Sequence, residues 1–141
     1  MRAGWHRLCP AIPFMGEQAE QLKTRTRKFA LDVITLVKLL PSTEPAFTIR
    51  RQLTKAATSV SANYRAACRS RSTDEFIAKM GLVAEEADEA EHWLDVLGAA
   101  GLAAATRLES IHQEARELRA IFATSHATAK RNRARRSGGR R

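Results

Sequence analysis

The sequence is poor in residues that interrupt regular structure, with only 7 glycines and 4 prolines among 141 residues. Most of them lie near the ends or between stretches rich in alanine, leucine, glutamate and arginine, a composition typical of a helical domain. No apolar run approaches the roughly 20 residues that a membrane-spanning helix needs. Pro10 and Pro13 interrupt the segment around Cys9 before it can resemble a signal peptide. We therefore expect a cytoplasmic protein with one hydrophobic core and no membrane partner.

Cysteine is also scarce, and no arrangement of residues indicates chemistry. Cys9 and Cys68 lack the spacing of metal ligands and cannot form a disulfide framework, so both are predicted to be free thiols. The sequence contains no Ser/His/Asp set, phosphate-binding loop or Cys/His cluster. We expect a protein that is not an enzyme and that uses no cofactor and no small-molecule substrate.

The net charge of +9 is concentrated in the last dozen residues. Seven basic residues lie there: Lys130, Arg131, Arg133, Arg135, Arg136, Arg140 and Arg141. Without them 24 minus 7 leaves 17 basic residues against 15 acidic ones, so the body is nearly neutral. Residues 130–141 are predicted to form a disordered basic tail. Residues 1–16 show no helical period and are predicted to be a disordered leader, in which Met15 is a candidate translation start.

Four amphipathic helices are predicted between these ends, over residues 17–40, 45–68, 73–97 and 103–127. Pro41 ends the first, Pro45 suits the first turn of the second, and Gly98 and Gly101 suit the turn before the fourth. The predicted core positions recur every three or four residues: Leu22, Phe29, Val33, Leu36, Leu40; Ile49, Leu53, Ala56, Val60, Asn63, Ala67; Phe76, Met80, Val83, Ala87, Ala90, Leu94, Leu97; Leu108, Ile111, Ala115, Leu118, Phe122, Ser125. Helices of this kind with short connections predict an all-α, antiparallel up-down four-helix bundle over residues 17–129.

Three groups of polar residues are candidate sites. Ser72 and Glu75 form a Ser-x-x-Glu capping box ahead of the third helix. Glu-x-x-His occurs twice, at residues 89–92 and 109–112, as in di-iron bundles, but the other two helices supply no matching inward glutamates, so no metal site is predicted. Asn63 occupies a core-facing position. It either fixes the helix register and the number of subunits, or lies at the edge of the core in contact with water. Tyr64 and Trp93 lie outside the main apolar stripes. Each either flanks the core or belongs to a surface between subunits.

Two helices carry faces of opposite charge. On the second helix four basic residues project within about 80° of one another: Arg51, Lys55, Arg65 and Arg69. On the third, six acidic residues lie mainly opposite the apolar stripe: Asp74, Glu85, Asp88, Glu89, Glu91 and Asp95. Either face is explained by simple exposure to solvent. Alternatively, the basic face contacts nucleic-acid phosphates, or the two faces pair between subunits.

The second and third helices also carry a family resemblance. Residues 56–63 read Ala-Ala-x-Ser-Val-x-x-Asn, and residues 69–76 read Arg-x-Arg-Ser-x-x-Glu-Phe. With these motifs the chain, from roughly Glu17 to Lys130, resembles the four-helix-bundle family first met as reading frames in 23S rRNA intervening sequences. The resemblance implies a ring-like homo-oligomer, a homopentameric barrel, and a relationship to the accessory variability determinant of diversity-generating retroelements, which binds a reverse transcriptase and nucleic acid.

The same resemblance assigns roles to particular residues. It implies that Asn63 and Ser72 are structural and that the basic positions line a surface for RNA or protein. Those positions are Arg51, Lys55, Arg65, Arg69 and Arg71. In many members Ala-Glu-Gly follows the asparagine, whereas this chain has Tyr-Arg-Ala-Ala at residues 64–67, so the nucleic-acid role does not transfer directly.

These observations lead to two functional hypotheses. The first is a non-catalytic oligomeric adaptor that binds RNA, DNA or a reverse transcriptase through the basic positions of the second helix and of the tail, namely Lys130, Arg131, Arg133, Arg135 and Arg136. The alternative is a purely structural, self-assembling helical protein without a nucleic-acid role.

Overall fold

The computed structural model describes residues 16–139, and within that range the chain forms four α-helices and no strand. They are α1 (Glu17–Val37), α2 (Ala46–Ala67), α3 (Thr73–Ala99) and α4 (Ala105–Gly138). Each helix packs on the next along the chain and α4 returns to α1, which is the arrangement of an antiparallel up-down bundle. The predicted all-α four-helix bundle is confirmed. The predicted leader, with Cys9 and Met15, lies outside the described residues except for Gly16.

The first helix ends three residues earlier than predicted. After Val37 the chain tightens into a final turn in which the Leu40 amide donates to the Val37 carbonyl at 3.3 Å. Pro41 explains this, because the residue before a proline is disfavoured in the α region and the proline itself cannot donate. Leu40 is nevertheless buried, at 5 % exposure, as its place in the apolar stripe predicted.

The fourth helix is much longer than predicted. Residues 130–138, which the sequence assigned to a disordered tail, continue α4 as regular helix. The reason is that alanine, arginine and lysine favour helix and that no glycine or proline intervenes before Gly138. A contact with α3, from Arg133 to Asp74, also holds this segment.

The α3–α4 connection reverses the chain through a glycine-dependent cap. Gly101 has a φ of 67°, its amide donates to the Gly98 carbonyl, and the Leu102 amide donates to the Leu97 carbonyl at 3.2 Å. These two bonds form a Schellman motif, which satisfies carbonyls that would otherwise be unpaired at the helix end. The motif turns α4 back onto α3, on which it packs.

The core follows the predicted apolar stripes with two exceptions. All seven predicted positions of α3 are buried, whereas on α4 Ile111 is only half-buried. On α2 the buried position is Tyr64, at 2 % exposure, and its neighbour Asn63 is half-exposed. Both residues fit a spacing of three or four from Val60, and the larger apolar surface of the tyrosine ring decides which of them faces inward.

Candidate nucleic-acid interface

The outward face of α2 carries basic side chains near both of its ends. Ile49, Leu53 and Val60 define the buried side of this helix. The four basic residues of the predicted face are exposed, three of them on the opposite side of α2 and Arg69 two residues beyond its end: Arg51, Lys55, Arg65 and Arg69. No aspartate or glutamate occurs between Ala46 and Ala67, so nothing on the helix itself neutralises them.

Three of these side chains have no acidic partner in the part of the chain that the structure describes. Arg51, Arg65 and Arg69 take part in no ion pair there. Lys55 differs, because it lies near Glu86 of α3. Burial raises the pKa of the Glu86 carboxyl, the neighbouring Glu89 raises it further, and Lys55 opposes both. We refer to Arg51, Lys55, Arg65 and Arg69 as the basic face.

The α2–α3 corner adds Arg71 at one end of the basic face. Ser72 caps α3 by accepting a hydrogen bond from the Glu75 amide at 3.1 Å, and the Glu75 carboxylate accepts one from the Arg71 amide at 2.7 Å. Lys79 pairs with the same carboxylate at 2.8 Å. Lys79, followed by the Arg71 amide, lowers the pKa of Glu75. The predicted cap is present, but the Glu75 carboxylate accepts from the amide of Arg71, one residue before Ser72. The Arg71 side chain stays exposed.

The second group of predicted basic residues lies on the last turns of α4. Arg133 pairs with Asp74 of α3 at 2.9 Å, and Arg131 donates to Thr128 of its own helix at 3.2 Å. Ile77 lies across from them and shares a groove of about 330 Å³ with α4. Five basic side chains of this segment are exposed: Lys130, Arg131, Arg133, Arg135 and Arg136.

Antiparallel topology brings the two basic groups to the same end of the bundle. The end of α2, the start of α3 and the end of α4 lie together there, as the Arg133–Asp74 pair shows directly. Arg65, Arg69 and Arg71 therefore share this end with residues 130–136, while Arg51 and Lys55 lie further along α2. Asp74 and Arg133 are 59 residues apart along the chain, so local spacing could not predict their contact.

The acidic face of α3 is partly used inside the molecule. Asp74 and Glu91 pair with Arg133 and Arg119 of α4. Glu89 accepts a hydrogen bond at 3.2 Å from the indole of Trp93, which is half-buried on the flank of the core. The remaining carboxylates of this face are exposed and form no ion pair within residues 16–139: Glu85, Asp88 and Asp95.

Neither Glu-x-x-His motif is part of a cluster of ligands. Among the described residues no three His, Cys, Asp or Glu side chains lie close enough together to hold a metal ion. Glu89 is engaged with Trp93, and Glu109 is exposed on α4. None of the described helices meets the length and apolarity that crossing a bilayer requires.

The sequence of the bundle matches a known protein family. A model of the 23S rRNA-intervening sequence protein family matches residues 20–124. The chain belongs to this family. The match covers the basic face and ends within α4, so residues 130–136 lie outside the part that defines the intervening sequence proteins.

A solved structure of an S23 ribosomal protein family member from Bacteroides thetaiotaomicron, whose function is unknown, has the same fold. It is 27 % identical to this chain, with a TM-score of 0.70, and the alignment covers 77 % of this chain and 97 % of that one. The search of curated proteins found no match.

Proposed function

We propose that this intervening-sequence family protein is a non-catalytic, oligomeric adaptor that binds nucleic acid through the basic face and the basic end of α4. The observation that carries the proposal is that exposed arginines without acidic partners line one face of a helix that has no acidic residue. Like charges held on one face repel one another, and a polyanion relieves that repulsion. The phosphates of RNA or DNA supply such a polyanion, and binding releases their condensed counterions.

The proposed protein partners come from the resemblance to the accessory variability determinant of retroelements. That resemblance supports association with a reverse transcriptase, with the bundle presenting the nucleic acid to the enzyme, and assembly into a homopentamer. In such a ring the basic faces of several copies would contact one strand together and add to its affinity.

Salt dependence and paired variants test nucleic-acid binding. The full chain should bind labelled RNA with an affinity that falls steeply with salt, by a log-log slope of roughly −0.7 per phosphate neutralised on a single strand. The double variant Arg65→Ala/Arg69→Ala should weaken binding and reduce that slope by about two contacts. Arg27→Ala/Arg107→Ala, which removes two exposed charges outside the basic face, is the matched control and should bind like the parent.

Deletion of residues 130–141 separates the two basic groups. If the deletion abolishes all binding while Arg65→Ala/Arg69→Ala has no effect, the basic face is not a binding surface and the proposal reduces to the end of α4. Light scattering with and without RNA measures the number of subunits in each state.

A second function, a purely structural self-assembling protein, is favoured by the exposed carboxylates of α3. Glu85, Asp88 and Asp95 are outward and form no ion pair within the described chain, so they complement the basic face of another copy. On this function Arg65→Glu should dissociate the oligomer, and Asp88→Arg in the same chain should restore it. RNA would then bind no more tightly to the parent than to the charge-reversed single variant.

A further inference from the structure

We propose that Asp74 is an internal competitor for the phosphates that bind at the basic end of α4, and that it limits the affinity of this site. The inference rests on the nucleic-acid-binding function proposed above and adds a regulation of that same site. Three features of the structure support it: the geometry of the pair between Asp74 and Arg133, the exposure of both side chains, and the place of Asp74 at the start of α3.

Asp74 holds Arg133 in the way that a phosphate would. Arg133 Nε lies 2.9 Å from Asp74 Oδ1, and Arg133 Nη2 donates to Asp74 Oδ2 at 3.2 Å. Two parallel hydrogen bonds from one guanidinium are also typical of arginine–phosphate pairs. The carboxylate and a phosphate therefore compete for the same two donors, and Arg133 cannot bind both in this form.

The pair is accessible to a competing ligand. The side chains of Arg133 and Asp74 are 53 % and 65 % exposed, and Arg133 lines the groove that Ile77 shares with α4. An exposed ion pair contributes little to stability, so its opening costs little. A phosphate can therefore reach the guanidinium without the unfolding of either helix.

Asp74 remains stabilised after it loses Arg133. It lies in the first turn of α3, where an acidic side chain is favoured by the unpaired amides and the dipole of the helix N-terminus. The bond that the Glu75 amide donates to Ser72 does not involve Asp74. Opening of the pair therefore leaves α3 capped and leaves no charge buried.

The neighbours of Arg133 bring a phosphate to the point of competition. Lys130, Arg131 and Arg135 lie within one turn of Arg133 on α4 and are exposed. A nucleic-acid chain that contacts these cations presents its next phosphate to Arg133 at a high local concentration. The chain can therefore displace Asp74, and the free energy needed to open the pair lowers its net affinity.

Substitution of Asp74 tests the competition. Binding of the full chain would be measured by fluorescence anisotropy to a labelled single-stranded RNA and to a DNA of the same sequence. The buffer would contain about 0.1 M salt, in which charges further apart than about 10 Å are largely screened. Asp74→Asn should bind about two- to fivefold more tightly than the parent, which is the range set by an exposed ion pair.

Two matched variants define what the gain depends on. Asp74→Glu keeps the carboxylate and should bind like the parent. Asp95→Asn removes the same charge from an exposed position about 31 Å further along α3, and it should also bind like the parent. Circular dichroism checks that every variant keeps the helix content of the parent.

A double-mutant cycle shows whether the effect passes through Arg133. In an Arg133→Ala chain, Asp74→Asn should change the affinity no more than Asp95→Asn does, because no guanidinium is left to release. In an Arg131→Ala chain, which loses the same charge from the same segment, the gain from Asp74→Asn should persist.

The outcomes separate this inference from the function on which it rests. If Asp74→Asn binds no more tightly than the parent, or if Asp95→Asn gains as much, the inference is overturned while nucleic-acid binding stands. If the gain survives in the Arg133→Ala chain, Asp74 acts through its charge alone, and the inference is again wrong. If neither the parent nor any variant binds RNA or DNA, the proposed function itself is wrong.

Discussion

Arg25 of α1 and Glu114 of α4 form a two-pronged ion pair across the seam that closes the bundle. Arg25 Nε lies 2.6 Å from Glu114 Oε1, and Arg25 Nη2 lies 2.8 Å from Glu114 Oε2. The seam between α1 and α4 is the least extensive of the four, so this pair joins helices that share little apolar contact. Its parallel geometry is the strong form of an arginine–carboxylate pair. Hydrogen bonding to Glu114 also raises the pKa of Arg25.

Removal of the pair should loosen this seam by a modest amount. We expect Arg25→Ala to lower the free energy of unfolding by about 1 kcal/mol, because the pair is partly exposed and exposed pairs contribute little. A double-mutant cycle with Glu114→Ala, measured by urea denaturation, should give a coupling of about 0.5–1 kcal/mol. Arg27→Ala, an exposed neighbour, is the control and should fall within about 0.5 kcal/mol of the parent. Zero coupling would show that the seam closes without the pair.

The cap of α3 gives a prediction about helix initiation. Ser72→Ala removes the acceptor for the Glu75 amide and should cost about 1 kcal/mol in thermal or urea unfolding, whereas Ser72→Gly should cost only a few tenths. Ser42→Ala, in the exposed loop before α2, serves as a control without a cap. Equal stability of Ser72→Ala and the parent would contradict the capping role.

The same cap has a pH dependence with a defined sign. The pKa of Glu75 is lowered by Lys79 and by the Arg71 amide, so its carboxylate stabilises the folded state above its unfolded pKa of about 4.3. That contribution is lost as the pH falls through the lower folded pKa. In Glu75→Gln the drop in melting temperature on acidification should be smaller than in the parent, by an amount that salt reduces because the group is exposed to solvent.

Tyr64 makes the alkaline behaviour of the fold observable. It is the single tyrosine of the chain, and burial, followed by the adjacent Cys68, raises its pKa above the ordinary value of 10.0. The neutral hydroxyl therefore stabilises the folded state fully below about pH 10, and this contribution is lost as the pH rises above that value.

The measurement is a paired alkaline titration. We expect tyrosinate absorbance to appear only when circular dichroism shows loss of helix, since the folded core holds the phenol neutral. Tyr64→Phe should abolish the absorbance change and identify its source. A tyrosinate signal near pH 10 with the helices intact would contradict burial of the ring.

The helical state of residues 130–138 can be tested at one contact. Arg133 is tied to Asp74, so Arg133→Ala should increase amide hydrogen exchange of the last two turns of α4, while the buried turns around Leu118 and Phe122 stay protected. Arg131→Ala removes the same charge, but Arg131 donates to Thr128 of its own helix and forms no ion pair among the described residues. This variant should leave exchange nearly unchanged. Identical exchange in both variants and the parent would mean that Asp74 does not hold the segment.

The sequence by itself determined the number of helices, the capping box and nearly all of the core. These features depend on local spacing, because residues three and four apart share a helix face and an apolar stripe must be buried. Local spacing could not choose between Asn63 and Tyr64, since both fit the period, and it missed the continuation of α4 because charge composition suggested disorder. The basic face was visible in the sequence for the same reason as the core: three of its four residues belong to one helix, and Arg69 follows directly after it.

Only the tertiary structure decided which helices face one another at a given level. It paired Arg25 with Glu114 and Arg133 with Asp74, and it brought the basic end of α4 to the same end of the bundle as Arg65, Arg69 and Arg71. Such contacts join residues far apart along the chain, and their register is fixed by how the apolar side chains of neighbouring helices interlock. That register determines which basic residues can contact one ligand together.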